Sequence, residues 1–394
     1  MSERRPIRVA LVGEYPARED AIHEGGVQSV THVLAHALAA RDDIDCHVVC
    51  ATHAPTGGDR RVGPLSVHFV SRPPVPRLLT MRSWDVPRLI RAIRAIAPDI
   101  VHGQGQDRHG LAAVAAGFPS VITPHGVIFQ ESRLLQHGAL DLIGAWKKRM
   151  LDGGEREVFA RARDMVMISP YLARVYGAML SARQHSIENP VNPAFFSIER
   201  CPEPGRLLFV GMVSPRKCVP DLVEAMARLP RALSRDGASV APRLRVVGPI
   251  ASEELASTLR ARIAAHGLEA AVDLVGAVDQ ATLVDEFSRA ELLLLASREE
   301  TAPQVIAQAM ACGLPTVASA VGGIPELLEG GRSGVLFPFG DTAAAAAVIE
   351  SLLTRSSELR QLSERARAAA AARFRPDEVA AQTVAVYREI LARS

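Results

Sequence analysis

Short apolar runs, each followed by an amphipathic stretch, recur in two series along this chain of 394 residues. The first series opens on Ile7-Arg8-Val9-Ala10-Leu11-Val12, which ends at Gly13 and reads as a buried strand. After a loop over residues 14–24 come Gly25-Gly26. Val27, Val30, Val33, Leu34, Ala37 and Leu38 then recur at the spacing of one helix face. Further strands are expected at 46–50, Ile100-Val101-His102 and Val121-Ile122-Thr123. The same alternation restarts near residue 206, with strands at Leu207-Leu208-Phe209-Val210, Leu244-Arg245-Val246-Val247, Val272-Asp273-Leu274-Val275, 292–295 and Thr316-Val317-Ala318. Strands that alternate with helices build parallel, doubly wound sheets. The connector Asn189-Pro190-Val191-Asn192-Pro193 disfavours helix and favours turns, which places a hinge there.

The expected fold is therefore α/β, with two doubly wound parallel-sheet domains at 1–190 and 191–376. Their strand carboxyl ends should face a ligand-binding cleft. The Ala-rich stretch 343–373 reads as plain surface helix, since Ala is the best helix former. A last helix, expected at 377–392, follows Phe374-Arg375-Pro376 and should pack back on the first domain.

Composition excludes several functions. The formal net charge is +2, without the single-sign field of a dedicated nucleic-acid binder. No apolar run approaches the ~20 residues needed to span a bilayer. The first residues, Met1-Ser2-Glu3-Arg4-Arg5-Pro6, run straight into a strand without a signal-peptide layout, so a cytoplasmic protein is expected. The five cysteines (Cys46, Cys50, Cys201, Cys218, Cys312) have no paired spacing, which fits reduced thiols and provides no zinc site. Cys46 and Cys50 should share one face of a strand as small core residues.

The richest segment for chemistry runs from Ser297 through Arg298, Glu299, Glu300, Thr301, Ala302, Pro303 and Gln304 to Gln308, then Gly313 and Pro315. Thr301-x-x-Gln304 has the spacing of a capping box, Pro303 suits a first turn, and Gly313 with Pro315 is a stop signal. A helix is thus expected from about 302, its electropositive end aimed at the loop that holds Glu300, an arrangement suited to phosphate. By spacing alone Glu300 and Gln308 read either two hydroxyl clusters of one ligand or nothing, as a surface acid and a helix-face residue. Only three lysines, Lys147, Lys148 and Lys217, stand among 45 basic residues, so an ammonium at 217 points to a local requirement.

This segment resembles the signature of the nucleotide-sugar-dependent retaining glycosyltransferases of family 4, which reads Glu, seven residues, Glu-Ala-Met-Ala-x-Gly-x-Pro. Here the match is Glu300, seven residues, Gln308-Ala309-Met310-Ala311-Cys312-Gly313-Leu314-Pro315. Val321-Gly322-Gly323-Ile324-Pro325-Glu326, Gly334-Val335-Leu336-Phe337-Pro338, Phe209-Val210-Gly211, Ser214-Pro215-Arg216-Lys217, Asn189-Pro190-Val191 and Gly25-Gly26-Val27 also resemble the family's habitual sequence. The resemblance implies two Rossmann-like domains in the GT-B architecture and transfer of a hexose with retention, without a covalent enzyme intermediate. The donor would be a UDP-, GDP- or ADP-sugar, with no further cofactor and no metal.

Carried over residue by residue, the resemblance implies that Glu300 binds donor hexose hydroxyls and that Gln308, in place of the usual Glu, binds the ribose diol without charge assistance. Thr301, Ala302 and Gln304 line the same donor site, where Thr301-Ala302-Pro303 replaces Gly-Phe-Gly. Lys217 matches the family's lysine on the diphosphate beside Gly211, but Met212 occupies the place of its arginine. Arg216 either fills that role or is simply solvated. Gly25 and Gly26 would let backbone approach the donor phosphates. His125, in Thr123-Pro124-His125-Gly126, matches a contact near the transferred sugar, and His102 is a weaker candidate.

The acceptor, a glycan, a lipid-linked sugar or a small molecule, is not specified. Residues 129–150 carry Leu134, Leu135, Leu140, Leu142, Ile143 and Trp146 beside Lys147-Lys148-Arg149. They read either as peripheral contact with an anionic membrane or as a helix packed on the first sheet. The alternatives to a transferase are a nucleotide-sugar-binding homologue with weak or lost transfer, motivated by Met212, Gln308 and Pro303, and a nucleotide-sugar epimerase of the same architecture. A nicotinamide dehydrogenase lacks its glycine fingerprint.

Overall fold

A computed structural model of the chain describes residues 5–17, 25–52, 58–71, 84–127, 142–177 and 179–394. It divides into two compact units, Met1–Pro190 with Pro376–Ser394, and Val191–Arg375.

The first unit is built on β1 (Ile7–Val12), α1 (Gly26–Ala39), β2 (Ile44–Thr52), β3 (Gly58–Val62) and β4 (Leu65–Ser71). They are followed by α2 (Val86–Ile96), β5 (Ile100–Gln104), α3 (Arg108–Ala115) and β6 (Ser120–Thr123). Next come α4 (Leu142–Arg161), β7 (Asp164–Met167), α5 (Pro170–Gly177) and β8 (Arg183–Ser186). The sheet order is β3-β4-β2-β1-β5-β6-β7-β8, parallel except where β3 pairs antiparallel with β4. From β1 the chain winds first one way and then the other, so the order reverses between β1 and β5.

The second unit begins with a single turn, α6 (Pro193–Phe196), then β9 (Arg206–Val210), α7 (Val219–Arg228) and a hairpin of β10 (Leu233–Arg235) and β11 (Ala238–Val240). Then come β12 (Arg243–Val247), α8 (Glu253–Ala265), β13 (Val272–Gly276), α9 (Gln280–Arg289) and β14 (Leu292–Leu295). The unit continues with α10 (Gln304–Cys312), β15 (Thr316–Ser319), α11 (Ile324–Leu327), β16 (Val335–Phe337), α12 (Thr342–Leu353) and α13 (Ser356–Arg373). All six strands of its main sheet are parallel, in the order β13-β12-β9-β14-β15-β16, and the reversal lies between β9 and β14. In doubly wound sheets ligands bind outside the strand ends at such a reversal.

The last helix, α14 (Pro376–Leu391), belongs to the first unit, where Val379, Ala380, Val384, Tyr387 and Ile390 share a core with Leu34, Leu38, Cys46 and Cys50. Cys46 and Cys50 are both buried there, as their spacing predicts, and burial pushes the Cys46 thiol up to about 12.

Two expectations need correction. The Ala-rich stretch 343–373 is not plain surface helix: it breaks into α12 and α13, and Ala345, Ala346, Ala366 and Ala370 are buried, because a methyl side chain lets helices approach closely. The helix of the signature segment starts at Gln304, not near 302, and no capping box forms. Pro303 is its N-cap residue at ψ 112°, and a proline disfavours the helical conformation for the residue before it, so Thr301 lies outside the turn it would have capped. Its far end follows expectation, with Gly313 left-handed at φ 73°. Of residues 129–150, those at 129–141 lie outside the described residues, as do the side chains of Leu142, Ile143, Trp146, Lys147 and Lys148. Among the described residues no helix is long and apolar enough to cross a membrane.

Candidate functional site

The reversal between β9 and β14 positions the central side chains. Strand β9 runs out at Gly211, whose φ of 146° lies in a region that favours glycine. Its N–H donates to Val247 O at 2.9 Å, and its carbonyl passes so close to Gly248 that a Cβ there would stand 2.1 Å from it. Val213 then bridges to Ile250, and Lys217 N donates back to Ser214 O at 3.0 Å, closing a turn. Cys218, left-handed at φ 47°, starts α7 and leaves Lys217 at its head.

Strand β14 delivers the partner. Lys217 Nζ stands 2.5 Å from Glu300 Oε1, and Arg216 Nη1 stands 3.0 Å from Glu300 Oε2. Ser297 Oγ donates to Glu300 Oε1 at 2.7 Å, and Ser319 Oγ in turn donates to Ser297 O at 2.6 Å. Glu300 is only 5% exposed. Burial pushes its carboxyl up, but Lys217, Arg216 and their hydrogen bonds outweigh it and hold the pKa below the ordinary carboxylate value. Its backbone is held as tightly: Gly323 N donates to Glu300 O at 2.9 Å, and a Cβ on Gly322 (φ 55°) would sit 1.9 Å from that oxygen.

Two cations thus serve one carboxylate, and the surplus positive charge suits an anion. Arg216 also donates through Nη1 to Glu299 O at 2.9 Å, so it is anchored in the site rather than simply solvated. Met212 is 52% exposed. Thr301 is buried and Ala302 half-buried, Gln304 begins α10, and Gln308 lies half-buried one turn further along it. Gly211 is beside the lysine, with Lys217 Cε 3.7 Å from where its Cβ would stand.

His125, Gly25 and Gly26 belong to the first unit. Gly25 is extended at φ 169°, with open space where a Cβ would go, so the fold itself does not demand a glycine there. His125 follows β6 and donates through Nε2 to Gln104 Oε1 at 2.8 Å. Burial lowers its pKa to about 4 and that of His102 to about 3. Both rings are neutral at pH 7. His102 is enclosed between Tyr387 and Thr123, a core position rather than a ligand contact. Among the described residues no group of three His, Cys, Asp or Glu side chains is placed to hold a metal ion.

Ser297 and Gly322 support Glu300 without any local signal of it in the sequence. Gly322 was visible within the Gly-Gly-Ile-Pro-Glu run but with nothing to tie it to Glu300.

Two family profiles match consecutive parts of the chain: "Glycosyltransferase Family 4" over residues 24–195 and "Glycosyl transferases group 1" over residues 193–369. Among curated proteins, the N-acetyl-alpha-D-glucosaminyl L-malate synthase of Bacillus anthracis is 34% identical over 28% of this chain and 29% of its own length. The first such relatives are matched over only 29% to 43% of their lengths. Among solved structures, sucrose-phosphate synthase from Thermosynechococcus elongatus superposes with a TM-score of 0.80 at 22% identity, covering 98% of this chain and 100% of that one. The Anabaena protein HepE in complex with UDP-glucose gives 0.69 at 17% identity, over 98% and 100%.

Proposed function

We propose, from the premise that this chain belongs to glycosyltransferase family 4 and has the GT-B architecture, that it moves a hexose from a nucleoside diphosphate sugar to an acceptor hydroxyl with retention at the anomeric carbon. The observation that carries this reading is the buried Glu300 carboxylate flanked by Lys217 and Arg216 at the reversal of the second sheet. The diphosphate takes the surplus positive charge of the two cations, aided by backbone N–H groups at the start of α10. Glu300 accepts hydrogen bonds from hexose hydroxyls, and Gln308 meets the ribose diol. Arg216 stands in for the arginine that Met212 replaces. His125 contacts the transferred sugar, and Gly25-Gly26 leave room for backbone to approach a phosphate.

As the anomeric carbon–oxygen bond breaks, negative charge grows on the leaving diphosphate, and fixed positive groups stabilise it there. The acceptor hydroxyl attacks the face the diphosphate leaves and gives its proton to a departing phosphate oxygen, so the protein supplies position and field rather than a nucleophile. The complex of HepE with UDP-glucose supports a UDP-sugar as the first donor to test. Among the described residues the cysteines form no disulfide, which favours a reducing, cytoplasmic setting.

Met212 and Gln308 favour a second reading, a donor-binding homologue with weak transfer. Hydrolysis of UDP-glucose by purified protein separates the two: turnover that disappears in Glu300→Ala supports the transferase, and donor binding without turnover supports the homologue.

A further inference from the structure

Three side chains link His125 to the last helix of the chain. Gln104 Oε1 accepts from His125 Nε2 at 2.8 Å, and Gln104 Nε2 donates to His102 Nε2 at 3.0 Å. His102 Nδ1 then meets the Tyr387 hydroxyl at 2.6 Å, and the two rings are 5.6 Å apart and nearly perpendicular. Thr123 Oγ1 lies 2.7 Å from His102 Nε2. His102, Gln104 and Tyr387 are buried, so these groups have only one another to satisfy.

The direction of this chain follows from what each atom can do. An amide nitrogen only donates, so His102 Nε2 must accept. A neutral imidazole carries one proton, so that of His102 is on Nδ1 and points to Tyr387. An amide oxygen only accepts, so His125 carries its proton on Nε2 and leaves Nδ1 bare. Among the described residues His125 Nδ1 has no hydrogen-bond partner. A second brace holds the adjoining backbone: Gln106 Nε2 donates to Gly126 O at 2.7 Å, and Tyr176 donates to the same oxygen at 3.1 Å. Gln104 and Gln106, two apart beyond and at the end of β5, thus hold the ring and the peptide of one turn.

We infer that Tyr387 is a positioning residue that sets the tautomer of His125 through His102 and Gln104, so that Nδ1 is free to accept a hydrogen bond from a substrate hydroxyl. This rests on the reading above that His125 touches the transferred sugar. Removing the Tyr387 oxygen takes away the acceptor of the His102 Nδ1 proton. His102 then gains by moving its proton to Nε2, the Gln104 amide turns over, and its nitrogen donates to His125 Nε2, which must shift its proton to Nδ1. A substitution three hydrogen bonds away thereby reverses what His125 offers a ligand.

The test is nitrogen-15 NMR of the histidine side chains in the full, ligand-free chain at pH 7, with His125→Ala and His102→Ala spectra assigning the two rings. The wild-type protein should show His125 with its proton on Nε2 and His102 with its proton on Nδ1. Tyr387→Phe should move His125 towards the Nδ1 form, and lower kcat about tenfold while KM for the donor stays within twofold. A variant that fails to fold is replaced by Gln104→Leu, which should leave the tautomers of His125 and His102 independent of one another. Wild-type His125 protonated on Nδ1, or a His125 tautomer unmoved in Tyr387→Phe, overturns the inference. The spectra need no substrate, so an inactive protein with the expected tautomers counts against the transfer reading and not against this one.

Discussion

The ammonium of Lys217 lies 2.5 Å from the carboxylate of Glu300, although 83 positions separate them in the chain. The pair is largely withdrawn from water, with side-chain exposures of 12% and 6%. A carboxylate so placed is stable as an anion only while its cations remain.

Lys217→Ala should therefore reduce stability at pH 7 by about 2 kcal/mol, less than the ~3–5 kcal/mol typical of a broken buried pair because Arg216 still faces Glu300. Urea unfolding of the two proteins measures it. No loss would mean that the pair is not held in solution as described.

Glu300→Gln tests the same pair through pH. The folded Glu300 has a lowered pKa, so its contribution is complete above its unfolded value near 4.5 and is lost as pH falls through the folded value. The stability gap between wild type and Glu300→Gln should be present at pH 7 and shrink steadily below about pH 4.5. A gap that is unchanged at pH 3.5 contradicts the assignment.

His102, buried, and His125, half-buried, work in the acid range from the other side. Neutral in the fold, with pKa values lowered to about 3 for His102 and about 4 for His125, they bind protons more readily when unfolded. Stability should be full above about pH 6.5 and fall as pH drops from there towards 4. In His102→Gln the slope between pH 6 and 4.5 should be shallower, and an identical slope in denaturant titrations would remove His102 as a contributor.

Gly322 and Gly25 make opposite demands. Gly322→Ala puts a Cβ into the Glu300 carbonyl at a left-handed φ, and should cost about 2–4 kcal/mol or prevent folding. Gly25→Ala meets open space on extended backbone, and should keep its stability within ~0.5 kcal/mol while impairing donor turnover. Thermal unfolding and donor hydrolysis, run on both variants, separate a structural glycine from a functional one.

Most central strands were legible because parallel strands covered on both faces read as unbroken apolar runs, such as Ile7–Val12 and Leu292–Leu295. The internal strands Leu65–Ser71 and Asp164–Met167, interrupted by Ser66 and His68 or opened by an aspartate, were not picked out. The edge strands Gly58–Val62 and Arg183–Ser186 were not: they carry Asp59, Arg60, Arg61 and Gln184, since one side of an edge meets solvent. In the site, Glu300, Lys217 and Gln308 could be picked out by matching a known pattern, whereas the contact between Glu300 and Lys217 depends on β9 lying beside β14 and leaves no local trace. The helix at 304 was placed too early because Pro303 was read as a first-turn residue when its effect on Ala302 decides the boundary. Tyr387 carried no signal at all, since an aromatic at helical spacing reads as core, which it also is.

The most direct test is calorimetric titration of UDP, GDP and ADP into the wild-type chain and into Lys217→Ala. One of the three should bind the wild type, and Lys217→Ala should weaken that nucleotide at least tenfold, about 1.4 kcal/mol. Equal affinity of the two proteins for the bound nucleotide, or no binding of any of the three to the wild type, would contradict that expectation.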